Sequence, residues 1–168
     1  MKRTKRSPLF ADQEPDVYVV DTSAWINIDG RPDREVAWSI VTSLIQQGRI
    51  VACAAVLTEL RENPLYRQRL KPFSEALQAG ERGVEDPEYL RHVGVITHKF
   101  PGMCKARGMR TPADPYVVAL AQLEKYVVVV DESPRRPNRK IPGVCDKLGI
   151  RWISSEQFIK LHLVASAT

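Results

Sequence analysis

Cysteine and histidine are scarce in this sequence, with three of each among 168 residues. Cys53, Cys104 and Cys145 are far apart in the chain and form no Cys-x-x-Cys pair. This spacing argues against a disulfide framework and against a structural zinc site. The histidines are too dispersed to suggest zinc either. We therefore expect a reducing, cytoplasmic location.

Long apolar runs are also missing. The longest, residues 50–57, has eight residues, whereas a membrane span needs roughly 18. The N-terminus is basic, but no hydrophobic segment or cleavage site follows it, so a secretory signal is not expected. No period of 20 to 50 residues repeats, which excludes a solenoid. We expect no association with a membrane.

The common phosphate-binding motifs are absent. There is no Gly-x-Gly-x-x-Gly and no Gly-x-x-x-x-Gly-Lys-Ser/Thr segment, and these are the loops that cradle nucleotide phosphates. The Asp21-Thr22-Ser23 sequence lacks the second aspartate of an Asp-x-Asp phosphatase opening. Nucleotide-binding and phosphatase classes are therefore poorly supported.

What remains is an ordinary globular composition with a basic balance. The chain is 43% hydrophobic and 27% charged, and its 25 Lys and Arg against 20 Asp and Glu give a net charge of +5. A chain of this length builds one full core. We predict a single domain over residues 17–168, preceded by an arm over residues 1–16. The arm could contact nucleic acid, although a solvated tail is the commoner role of such a segment.

Short apolar strands alternate with amphipathic helices along the domain. We predict strands over residues 17–20, 50–52, 126–130 and 151–153. The helical patterns lie between them: between Pro32 and Gly48, over 54–62, over 66–77 with a break near Pro72, from Asp86-Pro87, over 114–125, over about 144–148, and from Ser154 or Ser155. This alternation predicts an α/β fold with a central, mostly parallel sheet and right-handed crossovers.

Several acids lie where the strands end or the helices begin. Asp21 and Asp131 follow two strands, Glu132 is next to Asp131, Asp114 begins a helix, and Glu59 borders a helical apolar stripe. Ligands of an open parallel sheet bind beyond the carboxyl ends of its strands. We expect Asp21, Glu59 and Asp114 to converge there within metal-bridging reach. Carboxylates crowded on apolar surface call for a cation, and Mg²⁺ or Mn²⁺ prefers oxygen ligands.

Basic residues flank two of these acids. They lie before Asp114 and after Glu132, and an acidic centre between basic segments suits a polyanion that must approach a metal. We predict that they line the approach to the acids and bind RNA. They are Lys99, Lys105, Arg107, Arg110, Arg135, Arg136, Arg139 and Lys140.

Each residue also has a purely structural explanation. Asp114 before Pro115 is a good helix N-cap, and capping alone would explain it about as well as catalysis. Asp21 could start a turn or cap a helix, and Glu59 alone is most simply a solvated helix residue. The basic groups taken singly are most simply surface charges that promote solubility. The ordered set of acids is what favours a functional site.

The ordered set resembles the PIN-domain family over roughly residues 17–155. The resemblance is carried by residues 17–23 (Val-Tyr-Val-Val-Asp-Thr-Ser), 56–60 (Val-Leu-Thr-Glu-Leu), 113–121 (Ala-Asp-Pro-Tyr-Val-Val-Ala-Leu-Ala) and 127–132 (Val-Val-Val-Val-Asp-Glu). Within the family it is most similar to a bacterial and archaeal branch in which a Lys-Ile-Pro-x-Val-Cys segment follows, here residues 140–145.

The resemblance implies a three-layer α/β/α fold and a Mg²⁺- or Mn²⁺-dependent endoribonuclease. Asp21, Glu59 and Asp114 match the three acids of the family's metal site, and Ser23, with its neighbour Thr22, matches the hydroxyl support. The fourth position departs from the usual Thr-x-Asp, so either Asp131 or Glu132 could be the fourth catalytic acid and metal ligand. That leaves the second-metal or water-orienting role open.

The resemblance also implies binding partners and an alternative, non-catalytic function. Many relatives are toxins of the VapC-like toxin–antitoxin class, so RNA, an antitoxin protein and a second copy of the chain are the partners to test for. The rival is a non-catalytic PIN-like module that binds RNA or protein. The three matched acids argue against the rival, because a module without catalysis would be free to lose them. An α/β domain with well-placed caps and no such activity is the third alternative.

Overall fold

A four-stranded parallel sheet forms the centre of the molecule. The computed structural model describes residues 15–83, 85–104, 112–133 and 135–165. The strands are β1 (Tyr18–Val20), β2 (Ile50–Val51), β3 (Val127–Val129) and β4 (Trp152–Ile153), in the order β2-β1-β3-β4. All three pairings are parallel, and Tyr18 lies opposite both Ile50 and Val127. The predicted α/β fold and parallel sheet are confirmed.

Helices flank the sheet and complete the predicted three layers. α1, α2 and α8 pack together, and α6 packs against both α5 and α7. A π-helical turn (Tyr66–Leu70) and two 3₁₀ turns (Lys71–Phe73 and Pro101–Cys104) add to the α-helices. The α-helices are α1 (Thr22–Asp29), α2 (Arg34–Gln46), α3 (Ala54–Leu60), α4 (Ser74–Gln78), α5 (Pro87–Lys99), α6 (Asp114–Glu124), α7 (Ile141–Leu148) and α8 (Ser155–Ala165).

The strands are apolar at every position because helices cover both faces of the sheet. Val19, Val20, Val128 and Val129 are fully buried. Successive strand residues point to opposite faces, so only a sheet covered on both sides buries them all. This burial fixes the carboxyl ends of β1 and β3 side by side, and Asp21 N–H donates to the carbonyl of Val129 there.

Two helices differ from the sequence prediction. α1 was not predicted, because its polar Asp-Thr-Ser start was interpreted as a turn or a cap with no defined helix after it. In the structure Asp21 caps α1, and Ala24, Trp25 and Ile28 are buried on one side of it. α7 begins at Ile141 rather than near Val144, because Pro142 stands in its first turn, where proline needs no N–H partner.

The sequence predicts an N-terminal arm and no membrane span. Most of the arm predicted over residues 1–16 lies outside the described residues. Among the helices of the described ranges, none is long and apolar enough to cross a membrane.

Gly143 in α7 and Gly94 in α5 give a paired test of packing. A Cβ on Gly143 would lie 2.2 Å from the Cα of Pro137, whereas a Cβ on Gly94 would meet nothing within 4 Å. We expect Gly143→Ala to lower the free energy of unfolding by about 1–3 kcal/mol through overpacking. Gly94→Ala should raise it by about 0.5–1 kcal/mol through helix propensity. Urea unfolding of both variants is the measurement, and a Gly143→Ala protein as stable as the parent would contradict this packing.

Candidate functional site

Four acids lie near one another at the carboxyl end of the sheet, and we call them the acid cluster: Asp21, Glu59, Asp114 and Glu132. Asp21 follows β1, Glu59 lies on α3 after β2, Asp114 begins α6, and Glu132 comes shortly after β3. Their charges act on one another, since Asp21, Glu132 and Glu59 all contribute to raising the pKa of Asp114. The topology therefore brings together acids that are far apart in sequence.

Asp21 is both a buried acid and a structural cap. Its Oδ2 accepts hydrogen bonds from the backbone N–H of Ser23 at 3.0 Å and from the Ser23 hydroxyl at 2.6 Å. Only 5% of the residue is exposed. Burial raises the pKa of Asp21 to about 6, despite the Ser23 hydrogen bonds, and the Glu132 charge adds to this. Its two explanations, cap and site residue, are therefore compatible.

Asp114 is not the N-cap that the sequence suggested. Ala113 occupies the cap position of α6, no side chain caps the helix there, and Asp114 is the first helical residue. Within the described part of the chain its carboxyl group makes no hydrogen bond. Burial, followed by the charges of the three other acids, raises its pKa to about 7 against the opposing charge of Lys140. Capping therefore does not explain Asp114.

Glu59 joins three elements through its two carboxylate oxygens. The hydroxyl of Thr22 on α1 donates to Oε2 at 2.5 Å, and the backbone N–H of Ala113 donates to Oε1 at 2.8 Å. The second of these bonds places Glu59 beside the start of α6 and so beside Asp114. Thr22 is thus a positioning residue for Glu59, as Ser23 is for Asp21.

The side chains of the neighbouring acids Asp131 and Glu132 have different hydrogen-bond partners. Oδ1 of Asp131 accepts the N–H of Ser155, the first residue of α8, at 3.0 Å. The Asp131 N–H in turn donates to the Ser23 hydroxyl at 3.1 Å. Glu132 accepts from the Lys140 ammonium at 2.5 Å and from the Ile141 N–H at 3.2 Å. Glu132 is therefore the acid whose charge acts on Asp21 and Asp114. Asp131 binds the start of α8 through Oδ1, and its buried Oδ2 has no hydrogen-bond partner within the described residues.

The acid cluster has the donors for a hard divalent cation but not a formed coordination group. Across residues 15–83, 85–104, 112–133 and 135–165, no three His, Cys, Asp or Glu side chains are grouped so as to hold a metal ion. Both oxygens of Glu59 and both of Glu132 already accept hydrogen bonds. Carboxylate oxygens suit Mg²⁺ and Mn²⁺, and the raised pKa values of Asp21 and Asp114 mark charge that an ion would neutralise. The chemistry of the donors fits such an ion, because each of these oxygens accepts one hydrogen bond and keeps a second lone pair.

Part of the predicted basic set lines an open cleft of about 610 Å³. Lys99 and Arg139 lie in its wall together with Lys147, whose ammonium donates to Asn138. Lys147 was not predicted, because it is an isolated basic residue in α7, and only the fold brings it to Lys99. We call Lys99, Arg139 and Lys147 the basic cleft.

The other predicted basic residues have different surroundings. Arg135 and Arg136 are exposed, and Arg136 borders a second hollow beside Arg139. Lys140 contacts Glu132 and so belongs with the acid cluster. Lys105, Arg107 and Arg110 lie outside the described residues.

Comparison with known proteins adds one finding. A family model described as a domain of unknown function (DUF4411) matches residues 18–164. The match spans the whole sheet and every residue of the acid cluster. No curated protein matches the chain.

Proposed function

Because the chain belongs to this DUF4411 family, which assigns no activity, we propose its function from the acid cluster: a divalent-metal-dependent endoribonuclease that hydrolyses RNA phosphodiester bonds. The observation that carries the proposal is Asp114. Its carboxyl group is partly buried beside three other acids, makes no hydrogen bond within the described part of the chain, and does not cap its helix. The charged form of an acid placed in this way is destabilised until a proton or a cation neutralises it, and a divalent ion is such a cation.

The chain's residues have distinct roles in this proposal. Asp21 and Asp114 would hold a Mg²⁺ or Mn²⁺ ion, with Glu59 and Glu132 as further oxygen donors. Thr22 and Ser23 orient Glu59 and Asp21 through the hydrogen bonds at 2.5 and 2.6 Å. The ion, when bound, activates a water molecule and stabilises negative charge that develops on the phosphate. The backbone N–H of Ala113 fixes Glu59 against the start of α6.

The substrate class follows from charge and from the family resemblance. The net charge of +5 and the basic cleft attract a polyanion to a site that is itself acidic. The resemblance to PIN domains supports RNA as that polyanion, and it supports a toxin that an antitoxin protein restrains. It also supports a PIN-like assignment for the DUF4411 region of this chain.

The test is cleavage of RNA by the purified chain. Total RNA and an end-labelled single strand are incubated with Mg²⁺, with Mn²⁺ and with a chelator, and the products are resolved on a gel. We expect internal cleavage that needs the divalent ion and weakens as salt rises, because phosphate contacts release counterions. Intact RNA under all ion conditions would contradict the proposal.

Asp131 and Glu132 give a matched pair of variants for the same assay. We expect Glu132→Gln to slow cleavage at least about tenfold, because it removes a carboxylate from the cluster. Asp131→Asn should leave cleavage within about twofold of the parent. It should also leave the free energy of unfolding close to that of the parent, because asparagine keeps an oxygen that can accept the Ser155 N–H at the start of α8. The opposite pattern would make Asp131 the fourth acid.

The second candidate is a non-catalytic PIN-like module that binds RNA or protein. The specific observation in its favour is that Glu59 and Glu132 are already satisfied by protein donors. Such a module would bind the labelled RNA equally well in chelator and in Mn²⁺, and it would leave the RNA intact. The cleavage assay with a parallel binding assay therefore separates the two candidates.

A further inference from the structure

A lysine ammonium already lies in the acid cluster. Nζ of Lys140 is 2.5 Å from Oε1 of Glu132, whose side chain is only 16% exposed. The positive charge of Lys140 also acts on Asp114 and Asp21. Three of the four acids are thus near a cation that belongs to the chain itself.

The contact is built so that the side chain of Lys140 can leave without disturbing the fold. Its backbone is fixed on both sides, since Lys140 N–H donates to Arg136 and its carbonyl accepts from Val144. The side chain is 40% exposed, and four rotatable bonds connect it to that fixed backbone. Glu132 meanwhile keeps the N–H of Ile141 as a second donor, at 3.2 Å.

The Lys140 contact holds the carboxylate of Glu132 in place. Glu132 is held towards the start of α7 by the ammonium and by the Ile141 N–H, and this engages both of its oxygens. A divalent ion bound to the same carboxylate would be repelled by the ammonium. The two cations are therefore expected to compete for Glu132.

We propose that Lys140 is the internal counter-cation of the acid cluster and that it competes with the divalent ion for Glu132. The inference rests on the proposed metal-dependent function. In the resting chain Lys140 neutralises part of the cluster and keeps Glu132 from the ion. When the ion binds, the ammonium moves out towards solvent.

The test is the affinity for Mn²⁺ alone, measured by calorimetry on three variants. Lys140→Met keeps the length of the side chain and removes the charge. Lys147→Met removes the same charge from the same region without touching the acid cluster and so reports the long-range effect of charge. Lys140→Arg keeps a cation at the contact. We expect Lys140→Met to bind Mn²⁺ about tenfold more tightly than the parent, and the two others to stay within about twofold.

Melting in chelator gives a second readout that does not depend on activity. Without Lys140 the acids lose their counter-cation, so Lys140→Met should melt at a lower temperature than Lys147→Met when no metal is present. On addition of Mn²⁺ it should gain more, because stabilisation by a ligand grows with its affinity. A merely structural ion pair would lower the melting temperature equally with and without Mn²⁺.

The outcomes separate this inference from the proposed function. If the parent binds Mn²⁺ and Lys140→Met binds no more tightly than Lys147→Met, the counter-cation role is overturned while the nuclease proposal stands. If only Lys140→Met binds Mn²⁺, competition by Lys140 is supported. If neither the parent nor any variant binds Mn²⁺ and RNA stays intact, both are overturned.

Discussion

Replacement of Asp114 by asparagine is expected to reduce divalent-dependent RNA cleavage by about 100-fold or more. Changes to groups that only orient a metal ligand already cost about 10- to 100-fold, and Asp114 is proposed as a ligand itself. Asparagine keeps the shape of the side chain and removes its charge. The measurement is the initial rate of cleavage of the labelled RNA in saturating Mn²⁺.

Asp114→Asn should lose activity without losing stability. The substitution removes a partly buried charge that three other acids repel, and it breaks no hydrogen bond within the described part of the chain. The melting temperature in chelator should therefore equal or exceed that of the parent, while the gain on adding Mn²⁺ shrinks. Glu156→Gln, which removes one exposed acid on α8, is the control and should cleave like the parent. A stable Asp114→Asn protein that still cleaves RNA would refute the assignment.

Asp21→Asn is a less clean test of the same site, because Asp21 has two roles. Its Oδ2 accepts the Ser23 N–H at the start of α1, and asparagine is nearly as good a cap as aspartate. Loss of the charge relieves the repulsion in the cluster, whereas any weakening of the Ser23 hydrogen bonds costs stability. The two effects oppose each other, so its melting temperature alone does not identify its role.

The metal-free chain is expected to lose stability as the pH rises from about 5 to about 8. The pKa values of Asp21 and Asp114 are raised from 3.8 to about 6 and about 7 in the folded chain. Between pH 4 and 7 the folded state therefore binds more protons than the unfolded state, and stability falls as these protons are lost. Over this pH range the combined loss is on the order of 4 kcal/mol, since about one pKa unit of the Asp21 shift and about two of the Asp114 shift lie above pH 5, and each unit is worth about 1.4 kcal/mol.

Urea unfolding in chelator across this pH range measures the effect. The decrease in the free energy of unfolding should be clearly smaller for Asp114→Asn, which lacks the group with the higher pKa. In saturating Mn²⁺ the trend should weaken or reverse, because an ion binds the deprotonated acids. A parent whose stability is flat or rises from pH 5 to 8 in chelator would contradict the electrostatics described for the cluster.

The sheet could be predicted from the sequence because its strands are buried on both faces. Runs such as Tyr18–Val20 and Val127–Val129 have no polar position, and only a covered parallel sheet accommodates them. The strand order was not predicted, since pairing of β1 with β3 depends on contacts far apart in the chain. α1 was missed because the signal at its start, Asp-Thr-Ser, is shared by turns and caps.

The acids of the site could be located to strand ends and helix starts but not assigned individually. Asp131 and Glu132 are adjacent in sequence, and which of them faces the cluster depends on where α7 and α8 begin. Ile141 and Ser155 provide the N–H groups that draw the two side chains apart. The contact of Lys140 with Glu132 was equally unpredictable, because it depends on the path of residues 133–139.

The position of β1 in the sheet also determines when, during synthesis, the acid cluster can form. β1 lies between β2 and β3, and its partner in β3 is more than one hundred residues later in the sequence. Glu132 follows β3, so the acid cluster is incomplete until most of the polypeptide has left the ribosome. A nascent chain therefore carries Asp21 and Glu59 past ribosomal RNA well before their partners exist. Any chemistry at this site begins only after synthesis has passed residue 132.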